Sequence, residues 1–297
     1  MAQIILSGKL ASAPLRESIK EQISALTKEG LRPPCLCAIL VGNDPASQIY
    51  ISNKQKSCAS VGINSKVYHL SEHVSKEELV KLIHQLNLDE SVDGIIVQLP
   101  LPKHIDQQEI ISSIDPTKDV DGFHPINLGF LMAQVDKGFI PCTPLGVELL
   151  LKHYGIDVKG AEIAIVGTGF IVGRPLGLLM LWKGATIRMC NINTKDISVH
   201  TREADIVISA VGKPSLIKAS MVKPGAVVVD IGITRVENKV LGDVDYDEVA
   251  KLASAITPVP GGVGPMTVTA LLLNTLKAYI ERFSREGAFV RERVCES

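Results

Sequence analysis

Short apolar runs alternate with amphipathic stretches along most of the chain. Leu10 to Glu29 has the period of an amphipathic helix, and Arg32-Pro33-Pro34 breaks it. Cys35 to Val41 is continuously apolar, the pattern of a buried strand. The turn Gly42-Asn43-Asp44-Pro45 leads into a helix from Ala46 to Val61, and Ser65 to Leu70 reads as a further strand. Ser75 and Glu78 have capping-box spacing and open a helix through Leu86. Gly94 to Leu99 is another apolar strand, ending at Pro100-Leu101-Pro102. These βαβ-like units predict a parallel sheet with right-handed crossovers.

Asp115 to Thr143 has no clear period and is too long for a plain connection, so functional loops are expected there. Pro144 to Tyr154 reads as a helix with proline in its first turn. Apolar strands then recur at Ile163 to Val166, Thr186 to Cys190, Ile206 to Ala210, Val227 to Ile231 and Ala255 to Thr257. With helical segments between several of them, this half predicts a doubly wound sheet. Met266 to Arg282 is a long apolar-rich helix, and the charged tail Arg285 to Ser297 is expected to fray.

Composition narrows the class. The 297 residues are 46% hydrophobic and 21% charged, enough for two globular α/β domains without disulfides or metals. With 31 basic against 32 acidic residues and no basic stripe, a nucleic-acid partner is not expected. No apolar stretch approaches the ~20 residues of a membrane span, and the N-terminus lacks a secretory pattern. Cys35, Cys37, Cys58, Cys142, Cys190 and Cys295 lack zinc spacing and read as reduced thiols of a cytoplasmic protein.

One segment carries specific chemistry. Ile163 to Pro175 is a strand, a turn spaced Gly167, Gly169, Gly173, and a helix start. In such turns the first glycine permits the bend, the second lets backbone approach a pyrophosphate, and the helix amides receive its charge. The spacing is one residue longer than the usual fingerprint, so the motif alone is weak. Its context, a strand series with further turns at Gly212 and Asp230-Ile231-Gly232-Ile233, points to a nicotinamide dinucleotide site. The acid that commonly grips the NAD ribose is missing from Met189-Cys190-Asn191-Ile192-Asn193.

The first half offers polar candidates. Tyr50 and Lys54 lie one helical turn apart and can share proton-transfer work in a cleft, or simply form a surface helix face. Their spacing also occurs in short-chain dehydrogenases, but there the pair follows the glycine turn; here it precedes it, which excludes that reading. Gln98 ends an apolar strand, where an amide needs a partner. Lys118-Asp119-Val120-Asp121-Gly122 reads as an Asp-Gly turn; its two acids have too few companions for a metal site. The histidines are scattered, so no metal is expected. Pro258 to Pro265 is a Pro/Gly turn, either a linker or backbone lining a site.

Five segments together resemble the bifunctional methylenetetrahydrofolate dehydrogenase/methenyltetrahydrofolate cyclohydrolase family: Pro45 to Lys54, Asp93 to Pro102, Lys118 to Pro125, Pro141 to Pro144, and Ile256 to Thr267. The match runs from about Ile5 to Tyr279. The resemblance implies an N-terminal α/β substrate/catalytic domain and a Rossmann-like dinucleotide-binding domain with a cleft between them. It implies domains at 1–145 with 266–297, and at 146–265, the C-terminal helix returning to the first. It implies a homodimer in one-carbon metabolism and purine biosynthesis. Lys54 would be the general acid/base, Tyr50 the ring that stacks on the aminobenzoyl group, Gln98 the partner that tunes the lysine, and Asp121 the pterin-binding acid. Leu99, Pro260, Gly261 and Gly262 would line the folate pocket. The cofactor would meet Gly167, Thr168, Gly169, Gly173, Arg174, Asn191, Gly212 and Ile233. The implied reactions are hydride transfer from 5,10-methylenetetrahydrofolate to NAD(P), then hydrolysis to 10-formyltetrahydrofolate.

Two segments depart from the family. Gly167-Thr168-Gly169 stands where Gly-Arg-Ser or Gly-Ala-Ser is common, and Asn191-Ile192-Asn193-Thr194 where His-Ser-x-Thr is usual. Both bear on the NADP 2′-phosphate, leaving NADP as the expected cofactor with NAD open and Arg174, Arg188 and Lys195 as candidate phosphate partners. A cyclohydrolase with an impaired dinucleotide site, and a non-catalytic folate-binding dimer, are the competing readings.

Overall fold

The computed structural model describes residues 4–237 and 239–285; the tail beyond Arg285 and Cys295 lie outside it. The chain forms two compact units. One comprises Leu15–Phe130, Val135–Cys142 and the chain from Leu271 onward; the other comprises the chain up to Pro14, Leu131–Gln134 and Thr143–Ala270.

The first unit is built on a parallel sheet of β2 (Cys35–Val41), β3 (Asn64–Leu70) and β4 (Gly94–Val97), ordered β3-β2-β4. β2 is central and buried at every position, which explains its unbroken apolar run. Around the sheet are α2 (Pro45–Val61), α3 (Lys76–Leu88) and α4 (Gln107–Ser113). Each has a side-chain cap: Asp44 Oδ2 accepts from the Ser47 amide, Ser75 and Glu78 form the predicted capping box, and Asp106 accepts from the Glu109 amide. Leu79, Ile83 and Leu86 place one stripe of α3 in the core.

The second unit holds six parallel strands in the order β1-β11-β8-β7-β5-β6. They are β1 (Ile4–Ile5), β5 (Glu162–Val166), β6 (Thr186–Cys190), β7 (Ile206–Ser209), β8 (Val227–Asp230) and β11 (Ala255–Ile256). Chain order reverses between β5 and β7, as in doubly wound sheets. α7 (Gly173–Trp182) and α8 (Ser198–Thr201) connect its early strands, and a hairpin of β9 (Thr234–Val236) and β10 (Lys239–Leu241) precedes α9 (Tyr246–Val249).

Residues 115–143 hold more structure than their lack of period implies. α5 (Pro125–Met132) lies inside, and α6 (Cys142–His153) starts just before its end. The sequence of α5, Pro-Ile-Asn-Leu-Gly-Phe-Leu-Met, is apolar nearly all round and too short to show a stripe.

The remaining helices, α1 (Gly8–Lys28) and α10 (Val263–Arg285), each carry residues of both units. Within the first unit, α10 is tied by side chains to backbone. Asn274 Nδ2 donates to the carbonyls of Val120 (2.9 Å) and Ile140 (3.0 Å), and Tyr279 Oη to that of Arg32 (2.5 Å). Arg32 in turn forms a two-point pair with the fully buried Asp93 carboxylate, both contacts at 2.7 Å. Asp93 Oδ2 also accepts the Cys35 amide at 2.8 Å, so one carboxylate joins the start of β2 to the entry of β4. Only the carboxylate is buried, the Arg32 side chain being 31% exposed, so Asp93→Ala, which takes the acceptor from the Cys35 amide and the guanidinium, is expected to cost about 2 kcal/mol of unfolding free energy. A urea titration showing a loss below about 1 kcal/mol, the range of an exposed pair, would refute this role.

Candidate active site

In the three-stranded unit, chain order reverses between β2 and β4, and ligands of parallel sheets gather at the carboxyl ends beside such a point. Gln98 follows β4 there, its amide donating to the Ile39 carbonyl at 2.9 Å. Lys54 lies on α2, the helix after β2, and its Nζ donates to Gln98 Oε1 at 3.2 Å. Gln98 Nε2 is committed to the Leu99 carbonyl at 2.8 Å. That second bond fixes which end of the amide faces the lysine. Tyr50, one turn before Lys54, is 41% exposed, so its ring is open to a ligand.

Asp121 is presented by a loop running beside β4, where Ile95 bridges Asp119 and donates its amide to the Lys118 carbonyl. Asp119 shapes this loop. Its carboxylate, buried at the centre, accepts the amides of Gly122 (3.2 Å) and His124 (2.7 Å) and Nδ2 of Asn127 (2.9 Å). Burial raises Asp119 above the ordinary carboxylate range against the pull of these donors. Cys142 closes the group: its amide donates to the Asp121 carbonyl and its thiol to that of Val120. Burial, then the Asp121 charge, holds this thiol well above its usual value, with Lys54 acting in the opposite sense. Lys54, Gln98, Asp121 and Cys142 thus share one electrostatic neighbourhood.

The glycine turn belongs to the six-stranded unit. Gly167 follows β5 and donates its amide to the Cys190 carbonyl at the end of β6 (2.9 Å). The opening of α7 packs directly on the turn: a Cβ on Gly173 would collide with the Gly167 carbonyl. Gly169 is exposed and has open space where its Cβ would be. α7 has no side-chain cap, unlike α2, α3 and α4; the Arg174 amide donates instead to the Gly169 carbonyl of the turn at 3.1 Å, and Pro175 carries no amide. An open Gly169 and a tightly packed Gly173 at a strand-to-helix turn fit a dinucleotide pyrophosphate.

Nearby groups are placed unevenly. Arg174 Nε donates to the Thr168 carbonyl at 3.0 Å, folding the side chain over the turn. Arg188 pairs with Glu203 (2.7 Å) and Glu162 (3.3 Å), so two carboxylates compete with any phosphate for it. Lys195 is exposed. Asn191 shapes its own loop, accepting the Asn193 amide on Oδ1 and donating its amide to Thr194 Oγ1, both at 2.9 Å. That loop leaves Ile192 97% exposed. Pro260, Gly261 and Gly262 lie in the six-stranded unit, where the Gly261 carbonyl accepts the Gly8 amide at 2.9 Å.

Asp243, without a part in the sequence reading, and Asp230, read there only as the start of a turn, organise the loops after β7 and β8. Asp243 is fully buried and accepts Ser209 Oγ, the Val211 amide and the Lys213 amide. Asp230 accepts the amides of Gly232, Asp243 and Val244. The two acids interlock with glycines: a Cβ on Gly232 would collide with the Asp243 carboxylate, and one on Gly242 with that of Asp230. An acid ending an all-apolar strand, as Asp230 does, is the available sequence signal, because it demands buried partners.

Residues 6–121 match the model of the tetrahydrofolate dehydrogenase/cyclohydrolase catalytic domain, and residues 141–283 that of the family's NAD(P)-binding domain. A bifunctional protein FolD from Aquifex aeolicus (strain VF5) is 63% identical over 281 residues, covering 95% of this chain and 97% of that protein. The chain belongs to the tetrahydrofolate dehydrogenase/cyclohydrolase family. Among solved family structures, the bifunctional FolD enzyme of Campylobacter jejuni superposes with a TM-score of 0.93 at 52% identity, covering 94% of this chain and 99% of that one. The Trypanosoma brucei enzyme, solved with NADP and an inhibitor, gives 0.92 at 35% identity, covering 95% and 99%.

Two expectations follow for this family member. Gly173→Ala must push the turn apart and is expected to cost about 2 kcal/mol of stability and weaken dinucleotide binding, whereas Gly169→Ala weakens binding with stability held within about 0.5 kcal/mol. Thermal unfolding and cofactor titration of both variants check this contrast; equal stability loss at the two positions would refute it. The second concerns pH. Burial lifts Asp230 from 3.8 to about 6. The native state then holds this proton more tightly than the unfolded chain. Its stabilising contribution is full below the unfolded value and is lost as pH rises through about 6. Lowering pH from about 7 to about 4 should add up to about 3 kcal/mol through this group, a gain that Asp230→Asn lacks. A stability difference between the two proteins that stays constant over this range would refute it.

Proposed function

We propose that this chain oxidises 5,10-methylenetetrahydrofolate to 5,10-methenyltetrahydrofolate and hydrolyses that product to 10-formyltetrahydrofolate. The observation that carries the reading is the Lys54–Gln98 contact, 3.2 Å, at the carboxyl end of β4 beside Asp121. A nicotinamide dinucleotide at the glycine turn supplies the hydride acceptor. The protein's task in that step is orientation. Gly167, Thr168, Gly169, Gly173 and Arg174 would hold the phosphates, and Asn191, Gly212 and Ile233 the remainder. NADP is our expected cofactor, as named for the Trypanosoma brucei relative.

The hydrolytic step is assigned to Lys54. Lys54 Nζ takes a proton from water as the oxygen adds to the methenyl carbon and returns it to the departing ring nitrogen as the C–N bond opens, the remaining hydroxyl proton passing to solvent as the formyl C=O forms. Gln98 holds Nζ in place through one N–H, leaving the rest of the amine to water and substrate. The exposed ring of Tyr50 stacks on the aminobenzoyl group, and the Asp121 carboxylate accepts N–H groups of the pterin edge. Leu99 lines the folate pocket in the same unit, and Pro260, Gly261 and Gly262 are further substrate contacts that the family resemblance implies. This reading takes 1–145 with 266–297 as the catalytic domain and 146–265 as the cofactor domain. A cytoplasmic homodimer supplying purine biosynthesis belongs to the same proposal.

Lys54→Ala is expected to abolish cyclohydrolase activity, and hydrolysis of methenyltetrahydrofolate at the normal rate would sink the assignment. Reduction of NADP and NAD is measured separately with methylenetetrahydrofolate. Turnover of neither, with hydrolysis intact, would leave only a cyclohydrolase.

A further inference from the structure

The loop after β7 reaches the glycine turn. A Cβ on Gly167 would collide with the Ala210 carbonyl, so the chain leaving β7 lies against the turn at the point where strand order reverses. Its next residues, Val211, Gly212 and Lys213, are irregular, and Gly212 takes φ +76°. No ladder pairing holds these residues; Thr234 Oγ1 donates to the Gly212 carbonyl at 3.0 Å, and something must hold the amides on either side.

Asp243 does so. Its Oδ2 accepts the Val211 amide at 2.7 Å and Ser209 Oγ at 2.9 Å, and its Oδ1 accepts the Lys213 amide at 2.8 Å. The backbone around Asp243 is itself anchored: the Ile217 amide donates to the Asp243 carbonyl (2.9 Å) and the Ser215 amide to that of Gly242 (3.2 Å). The Asp243 amide donates to Asp230 Oδ1 at the end of β8. One carboxylate therefore clasps both sides of Gly212 and fixes them to the neighbouring strand end. Space for it exists because residue 232 lacks a side chain.

We infer that Asp243 is the positioning residue of the dinucleotide site, setting the Val211–Lys213 backbone against the glycine turn without touching the ligand. This rests on the reading of that turn as a dinucleotide site. It assigns the cofactor half of the chemistry to a buried carboxylate, separate from the lysine that serves hydrolysis.

The test uses the full chain and both activities. Asp243→Asn keeps the shape but turns one acceptor into a donor facing another donor, so one loop contact must break. The expected result is a rise of about tenfold or more in KM and Kd for NADP, with cyclohydrolase kcat held within about twofold. Ser209→Ala removes one donor to the same carboxylate and should raise the NADP KM by about threefold, again sparing hydrolysis. It supplies the answer if Asp243→Asn does not fold. Unchanged NADP affinity in a folded variant would overturn the proposal. So would a parallel fall of both activities, which marks general structural damage. Wild-type protein that neither binds nor reduces NADP or NAD would instead overturn the dinucleotide reading, and this inference with it.

Discussion

Buried carboxylates that accept backbone amides hold this protein's functional loops in shape. A carboxylate taken out of water is costly, and only donors aimed at its oxygens offset the loss. Asp93, Asp119, Asp230 and Asp243 each meet that demand with main-chain N–H groups, joined by Arg32, Asn127 or Ser209. The arrangement works in both directions. Irregular backbone at the ends of strands also needs acceptors, because it has no ladder to supply them. Acid and loop satisfy one another, and neither is well paired alone.

The two sheets share a local plan. Both place one strand between the next two in chain order, β3-β2-β4 in one and β6-β5-β7 in the other. Each plan opens a gap at the carboxyl ends where connections diverge, and each gap carries candidate chemistry. In one, Gln98 and the helix bearing Lys54 flank the gap; in the other, Gly167 and Ala210 do. Proton transfer and dinucleotide binding thus use the same backbone geometry, distinguished by the side chains at its rim.

Much of this was legible in sequence. The strands Cys35–Val41 and Thr186–Cys190 match their apolar runs, and the capping box at Ser75 opens α3 as its spacing predicts. Local chemistry decides such features. α4 and the β9–β10 hairpin are short, and nothing in their periodicity sets them apart. In the site, the glycine turn was visible as a motif, and Lys54, Gln98 and Asp121 through family resemblance. The contact between Lys54 and Gln98 spans 44 positions, and no spacing rule reaches that far. Asp119 read as part of a turn, because its partners His124 and Asn127 carry no mark of a shared acceptor. The Asp243 clasp was hidden for the same reason: two of its three donors are main-chain amides, which every residue but proline possesses.

The interlock of glycines and aspartates has a consequence for inheritance. Gly232 leaves the space that the Asp243 carboxylate fills, and Gly242 the space for Asp230. A side chain gained at either glycine, with its acid retained, evicts the carboxylate; an acid lost alone leaves unpaired amides beside a hollow. Drift at these four positions is therefore confined to coordinated changes, and single steps lead downhill. The two loops behave as one unit of descent, and a chain that exchanges one must exchange the other with it.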